Sequence, residues 1–191
     1  MPRTPRAART GAVLAASVGL TAAAVLAVAA PALAGADVVR ASGGLVTYAP
    51  TTTLERVPGT ARGRLQVVAS PRGTTTFVLV LHGLLPDSDY GVHAHVADCV
   101  DRQGAGHFQA VPAPSPEEND SRFANPRNEV WLDVETDAEG SGTARAVVTW
   151  QFRPGQGPRS VIIHRDRTST EDAAGRAGTA GPKLACLPVA L

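Results

Sequence analysis

Residues 74–96 read TTTFVLVLHGLLPDSDYGVHAHV, and their pattern determines the predicted fold. The first part of this stretch, Thr74 to His82, is rich in β-branched and apolar residues and predicts a strand. The Pro/Asp-rich segment Leu85 to Asp89 is a turn signal, and Tyr90 to Val96 resumes strand character. We therefore expect two consecutive strands of an antiparallel meander.

The second of these strands contains the first chemical signal. His93 and His95 are two residues apart, so on a strand both side chains leave the same face and form half of a metal site. His107 lies early in a long loop, and His164 ends a later apolar strand. Four imidazoles would form a nitrogen-only site, which suits copper, zinc or nickel, and a tetragonal nitrogen set is the preference of copper(II).

The rest of the chain from residue 63 onward is also typical of β structure. Short strands are expected at Arg64–Val68, Glu129–Val134, Thr143–Phe152, Ser160–His164 and Leu184–Val189. The stretches 98–128 and 165–182 have no periodicity and predict two long loops. No helical period is sustained outside the N-terminal segment, so we expect an all-β, antiparallel β-sandwich or barrel.

The N-terminal segment, residues 1–34, is typical of a signal peptide. It has three early arginines, an uncharged run over 11–30 and small residues at Ala32 and Ala34. We expect cleavage near Ala34 and a secreted, extracellular or periplasmic protein; a retained membrane anchor is the alternative. Residues 35–62 would be a linker or a first strand, and residues 63–191 the functional domain.

Charge and cysteine content limit the partners of the exported chain. Loss of three of the 18 basic residues leaves 15 against 17 acidic ones, a net charge of −2, which argues against nucleic acid. No second segment is long and apolar enough for a membrane span, so no membrane partner is expected after cleavage. Two cysteines in an exported chain favour a disulfide between Cys99 and Cys186, with two buried thiols as the alternative. The oligomeric state does not follow from the sequence.

Four blocks of the sequence resemble the signature blocks of the copper/zinc superoxide dismutases, in the same order and with compatible spacing. They are GVHAH at 91–95, GAGHF at 104–108, VIIH at 161–164 and GTAGPKLAC at 178–186. The resemblance covers about Arg62 to the C-terminus. It implies a Greek-key, immunoglobulin-like β-sandwich that converts superoxide to O2 and hydrogen peroxide.

The resemblance also assigns roles to individual residues. The copper ligands of the family match His93, His95, His107 and His164. The intrasubunit disulfide of the family matches Cys99 and Cys186. Lys183 stands where the family has an arginine that flanks copper and guides the anion; it keeps the positive charge but lacks the planar fork of donors. A Lys183 side chain that points into solvent is the alternative.

The departures from the family concern zinc. No histidine lies between His107 and His164, and the position of the zinc-binding aspartate falls near Glu129 or Val130. A zinc site needs about four ligands, so we expect no structural zinc, as in the copper-only branch of the family. His107 would then be a plain copper ligand. We expect Glu129 to accept a hydrogen bond from its second ring nitrogen, unless Glu129 is a solvated strand residue.

Two other functions stay open at this point. The first is a copper-binding or storage sandwich without catalysis, and the second is a purely structural sandwich. The acidic run from Asp133 to Glu139 is not a calcium loop of the EF-hand type, because Ala138 stands where that loop needs glycine. We interpret the run as a polar strand face that leads into a turn, and Trp131 as a packing residue.

Overall fold

The computed structural model describes residues 36–48, 53–115, 117–153, 155–172 and 175–191. The predicted signal peptide therefore lies outside the described residues. The strands are β1 (Asp37–Gly44), β2 (Val46–Thr47), β3 (Arg62–Ala69), β4 (Thr75–His82), β5 (Asp89–Tyr90), β6 (Val92–His95), β7 (Val134–Glu135), β8 (Gly142–Val148), β9 (Ser160–His164) and β10 (Lys183–Pro188). A single turn of α-helix, α1 (Thr53–Arg56), and two 3-10 turns (Arg102–Gly104 and Glu117–Asn119) complete the elements.

The strands form two four-stranded antiparallel sheets and one short pair. The first sheet has the order β1-β3-β4-β8, the second β2-β10-β9-β6, and β5 pairs with β7. Each four-stranded sheet contains strands from distant parts of the sequence, so the chain crosses repeatedly between them. The expected all-β antiparallel sandwich is confirmed.

Alternation along the strands fixes which side chains enter the core. On β4, Phe77, Leu79 and Leu81 are fully buried and face the second sheet. On β6, Val92 and Ala94 belong to the same core. His93 and His95 therefore leave the other face of β6, on the outer side of the second sheet, where loops rather than a sheet cover them.

Two expected strands differ in detail from the structure. The strand expected over Tyr90–Val96 is interrupted at Gly91, because the N–H of Gly91 donates to the carbonyl of Asp166 (2.7 Å) in the second long loop. A Cβ on Gly91 would lie 2.5 Å from that same oxygen, so only glycine allows this close approach. The prediction of a strand over Glu129–Val134 was wrong for the residues before β7. These residues make isolated bridges instead, including one between Trp131 and His93.

The N-terminal part of the described chain was left open between linker and strand. It forms β1, an eight-residue edge strand in register with β3. This strand could not be predicted from an alternation of buried and exposed residues, because seven of its eight residues are exposed.

Cys99 and Cys186 form a disulfide, with a Cα–Cα distance of 5.7 Å. The bond ties the first long loop to β10, and the Tyr48 hydroxyl donates to the Cys99 carbonyl beside it (2.9 Å). A disulfide fits an extracellular or periplasmic location. Among the described residues, the helices are too short to cross a membrane.

Candidate metal centre

Four histidines converge on the outer side of the second sheet. His93 and His95 extend from β6, His164 from the end of β9, and His107 from the first long loop, where it pairs with His95 across the free edge of β6. One ring nitrogen from each lies within 4.8 Å of the others. The ring centroids of His93 and His107 are 4.2 Å apart, and those of His95 and His107 are 4.8 Å apart. The cluster could therefore hold a single metal ion.

One nitrogen of each ring is hydrogen-bonded to the protein outside the cluster. The contacts are His95 Nδ1 to the Ala105 carbonyl (3.0 Å), His164 Nδ1 to the Gly181 carbonyl (3.1 Å), His107 Nδ1 to Glu129 Oε2 (2.9 Å) and His93 Nε2 to Thr168 Oγ1 (2.6 Å). These contacts orient all four rings. They leave Nδ1 of His93 and Nε2 of the other three available to a metal.

The available nitrogens have the properties that a metal requires. His93 Nδ1 is buried and has no hydrogen-bond partner among the described residues, which would be costly unless an ion filled the position. The Nε2 atoms of His95 and His164 lie 3.4 Å apart. Four neutral imidazoles are a donor set that copper(II) or zinc accepts, so the residues present fit a metal ion.

Burial keeps the imidazoles of His93, His95 and His164 neutral, as metal ligation requires. The pKa of His95 is lowered to about 2, first by desolvation and then by the neighbouring His107, His164 and Lys183. Desolvation likewise lowers the pKa of His164 to about 4 and holds that of His93 well below its ordinary value. The site therefore does not need to lose protons from these rings before it binds a metal near neutral pH.

Glu129 lies behind His107 and is 1% exposed. Its Oε2 accepts hydrogen bonds from His107 Nδ1 and from Trp131 Nε1 (2.6 Å), and its Oε1 accepts one from Gln109 Nε2 (2.7 Å). A Cβ on Gly178, which has a φ of +73°, would come within 3.6 Å of Glu129 and His107. The carboxylate is thus fixed by three donors and closely covered by the second loop.

Two residues beside His93 were not identified from the sequence. Thr168 accepts the ring N–H of His93, and Asp133 accepts from the hydroxyl and the backbone N–H of Thr168. The interpretation of Asp133 as part of a polar strand face was therefore wrong, because its carboxylate also accepts the backbone N–H of Val92 (3.2 Å) and faces the centre. A lone threonine in a loop gives no signal in the sequence. Trp131, interpreted as a packing residue, donates to Glu129.

Lys183 begins β10 directly opposite His164. Its Nζ donates to the carbonyls of Gln103 (3.0 Å) and Ala105 (2.6 Å), and burial lowers the pKa of its ammonium group. The Ala105 carbonyl also accepts a hydrogen bond from His95. The same loop carbonyl is therefore held by Lys183 and by a histidine of the metal centre.

The loop held by Lys183 is conformationally strained. Arg102, Gln103 and Ala105 all have positive φ, between 47° and 54°, and Gly104 has a φ of 82°. Such non-glycine residues cost roughly 1–3 kcal/mol each and persist only where neighbouring contacts impose them. The disulfide at Cys99 and the Lys183 hydrogen bonds supply those contacts.

A cavity of about 210 Å³ opens onto the centre. It is lined by His95, Ala105, Gly106, His107, Gln109, Glu118, Asn119 and Lys183. A larger cavity, of about 830 Å³, is lined by residues of β1, β3 and the C-terminus and includes none of the four histidines. We take the smaller one as the approach to the centre, because only it exposes ligand side chains beside a cation.

No model of a protein family matches the chain, and neither does any curated protein. Solved structures do resemble it. The clock protein EA4 has a TM-score of 0.53 at 22% identity, covering 79% of this chain and 93% of that one. The Cu/Zn superoxide dismutase from Brucella abortus has a TM-score of 0.52 at 16% identity, covering 78% of this chain and 98% of that one. At these identities the similarity shows the fold, and the chain has the β-sandwich fold of these two proteins.

Proposed function

We propose that the chain is an exported copper-dependent superoxide dismutase that holds one copper ion and no structural zinc. The proposal rests on one observation: four histidines meet with one nitrogen of each ring fixed by the protein and the other available. The fold shared with a Cu/Zn superoxide dismutase and the four sequence blocks support it.

Bound copper would supply one-electron chemistry between its two oxidation states, as required to convert two superoxide ions and two protons into O2 and hydrogen peroxide. His93, His95, His107 and His164 would be the ligands. Copper rather than zinc is proposed because nitrogen-only sets follow the Irving–Williams order, in which copper(II) binds most strongly.

The Glu129 carboxylate supports a site for one metal. In a two-metal site the second nitrogen of His107 would face the other ion, whereas here it donates to Glu129. Glu129 also accepts hydrogen bonds from Trp131 and Gln109, and the carboxylate of Asp133 is engaged with Thr168.

Superoxide would approach through the 210 Å³ cavity. Lys183 is the cation beside His95 and His107 in that cavity, so it would attract the anion locally although the exported chain is net negative. Two of its three N–H donors are directed to carbonyls, which leaves one for the substrate.

A copper-binding protein without dismutase activity is the second candidate. The observation that favours it is the engagement of Lys183 with two backbone carbonyls, together with the exposed acid Glu118 at the same cavity. Both features would weaken the attraction of an anion.

Superoxide decay in the presence of the copper-loaded protein separates these functions. The dismutase proposal predicts one copper per chain and decay far faster than spontaneous dismutation. His164→Ala should abolish the acceleration, whereas His82→Ala should not change it, because His82 is exposed and its side chain bonds only Ser141 among the described residues. One copper without accelerated decay would leave the binding protein, and a chain that takes up no copper would refute both.

We also propose that the chain is exported and cleaved near Ala34. The mature protein would then bind neither nucleic acid nor a membrane. N-terminal sequencing of the protein recovered from outside the cytoplasm tests the cleavage. A mature chain that still begins at Met1 would contradict it.

A further inference from the structure

Thr168 lies between the half-buried carboxylate of Asp133 and a histidine of the metal centre. Its hydroxyl oxygen is 2.6 Å from His93 Nε2 and hydrogen-bonded to Asp133 Oδ1, while its backbone N–H donates to Asp133 Oδ2 (2.9 Å). The backbone N–H of Val92, next to His93, also donates to Asp133 (3.2 Å). Hydrogen bonds through Thr168 and Asp133 thus connect β6, the segment before β7 and the second loop.

The direction of each hydrogen bond follows from the chemistry of the groups. An ionised carboxylate only accepts, so the single proton of the Thr168 hydroxyl points to Asp133. The hydroxyl oxygen is then an acceptor toward the ring, and His93 must carry its proton on Nε2. Nδ1 of His93, buried and without a partner among the described residues, is consequently the nitrogen with the free lone pair.

Glu129 and Asp133 reach the centre differently. Glu129 contacts His107 directly, whereas Asp133 reaches His93 only through the hydroxyl of Thr168. The second nitrogens of His95 and His164 go to uncharged backbone carbonyls. His93 would therefore lose its link to a negative charge if one hydroxyl group were removed.

We propose that Thr168 is a positioning residue that links Asp133 to His93, fixing the tautomer of the ring and strengthening its donation to the bound metal. This inference rests on the proposed function, because it assigns the four histidines to copper. Hydrogen-bonded acidic partners raise the basicity of ligand histidines, and their loss typically weakens metal binding 10- to 100-fold. A more basic ring favours copper(II) over copper(I), so the link also lowers the reduction potential.

The test compares three substitutions in the second loop. Thr168→Val keeps the size of the side chain but removes the hydroxyl, and Thr168→Ser keeps the hydroxyl. Thr170→Val is the matched control, because Thr170 is exposed in the same loop and has no hydrogen bond among the described residues. Copper(II) affinity is measured by competition with a chelator, the ligand field by electron paramagnetic resonance, and the reduction potential by redox titration.

We expect Thr168→Val to weaken copper(II) binding about tenfold, to change the copper hyperfine splitting and to raise the reduction potential. Thr168→Ser should restore all three, and Thr170→Val should match the wild type. If Thr168→Val has the wild-type affinity, spectrum and potential, the inference is refuted while the proposed function stands.

A measurement on the metal-free protein keeps the two proposals distinguishable. Long-range proton–nitrogen correlation spectra report which ring nitrogen of each histidine carries the proton. Wild-type His93 should be protonated on Nε2, and Thr168→Val should populate both tautomers. A wild-type ring protonated on Nδ1 would refute the positioning role whether or not copper binds, whereas a chain that binds no copper refutes the proposed function and the tuning of the metal with it.

Discussion

Replacing Glu129 with glutamine would remove one negative charge from the buried side of the metal centre and keep the shape of the side chain. The carbonyl oxygen of the new amide can take the place of Oε2 and still accept from His107 and Trp131. Its NH2 group must then take the place of Oε1, where it faces the amide NH2 of Gln109. Gln109 cannot reverse its amide without losing the hydrogen bond that its own oxygen accepts from Ala113 (2.9 Å).

Two magnitudes follow from this geometry. One buried donor without an acceptor costs the metal-free protein about 1–3 kcal/mol of stability. Loss of the charged partner of a ligand histidine weakens metal binding about 10- to 100-fold, which corresponds to roughly 1.4–2.7 kcal/mol. Because the second loss acts only on the bound state, the substitution should lower copper affinity beyond its effect on folding.

The assay is a chelator competition for copper(II) on the wild type, Glu129→Gln and the control Glu139→Gln, combined with urea unfolding of each metal-free protein. Glu139 is an exposed acid in the turn before β8, so its substitution changes the net charge equally without touching the centre. An affinity of Glu129→Gln within twofold of that of Glu139→Gln would refute the role of the carboxylate.

Three further predictions concern other parts of the site. Lys183→Gln should reduce the superoxide rate severalfold and flatten its dependence on ionic strength, whereas Lys183→Arg should keep both; equal salt dependence in all three proteins would contradict local attraction. The metal-free protein should lose stability as pH falls below 6.5, because the unfolded chain protonates histidines whose folded pKa lies at about 2 for His95 and about 4 for His164. Each histidine lowers the free energy of unfolding by about 1.4 kcal/mol per pH unit down to its folded pKa. A urea midpoint unchanged from pH 7.5 to 5 would contradict this. Cys99→Ser should lower the free energy of unfolding by about 4.5 kcal/mol, since it removes a disulfide between residues 87 positions apart. A denaturant midpoint equal to that of the oxidised wild type would show that the bond adds no stability.

The strands that could be predicted are those with buried, alternating or continuously apolar residues. The β4 strand alternates fully and β9 is buried at all five positions, so both appear near their expected bounds. The β1 strand is exposed at the edge of its sheet, and its sequence carries no burial pattern. The break at Gly91 depends on the approach of Asp166, 75 residues later, which local patterns cannot show.

The metal centre likewise contains residues that the sequence predicts and residues that it does not. The spacing of His93 and His95 predicts a shared strand face, and the positions of His107 in a loop and His164 at a strand end, together with the family resemblance, predict the other two ligands. Thr168 could not have been found, because its role depends on how the second loop folds over β6, and nothing about a threonine between an arginine and a serine indicates a metal site. Asp133 was misread for a related reason: a run of alternating acids is typical of a solvated strand face.

The site proposed for the four histidines takes one copper ion, with Glu129 beside His107 where a second metal would have bound. The metal content can be measured by native mass spectrometry of the untagged protein after equilibration with an excess of both copper and zinc and then desalting. We expect one copper and no zinc per chain. A second tightly held ion, or zinc retained in place of copper, would contradict it.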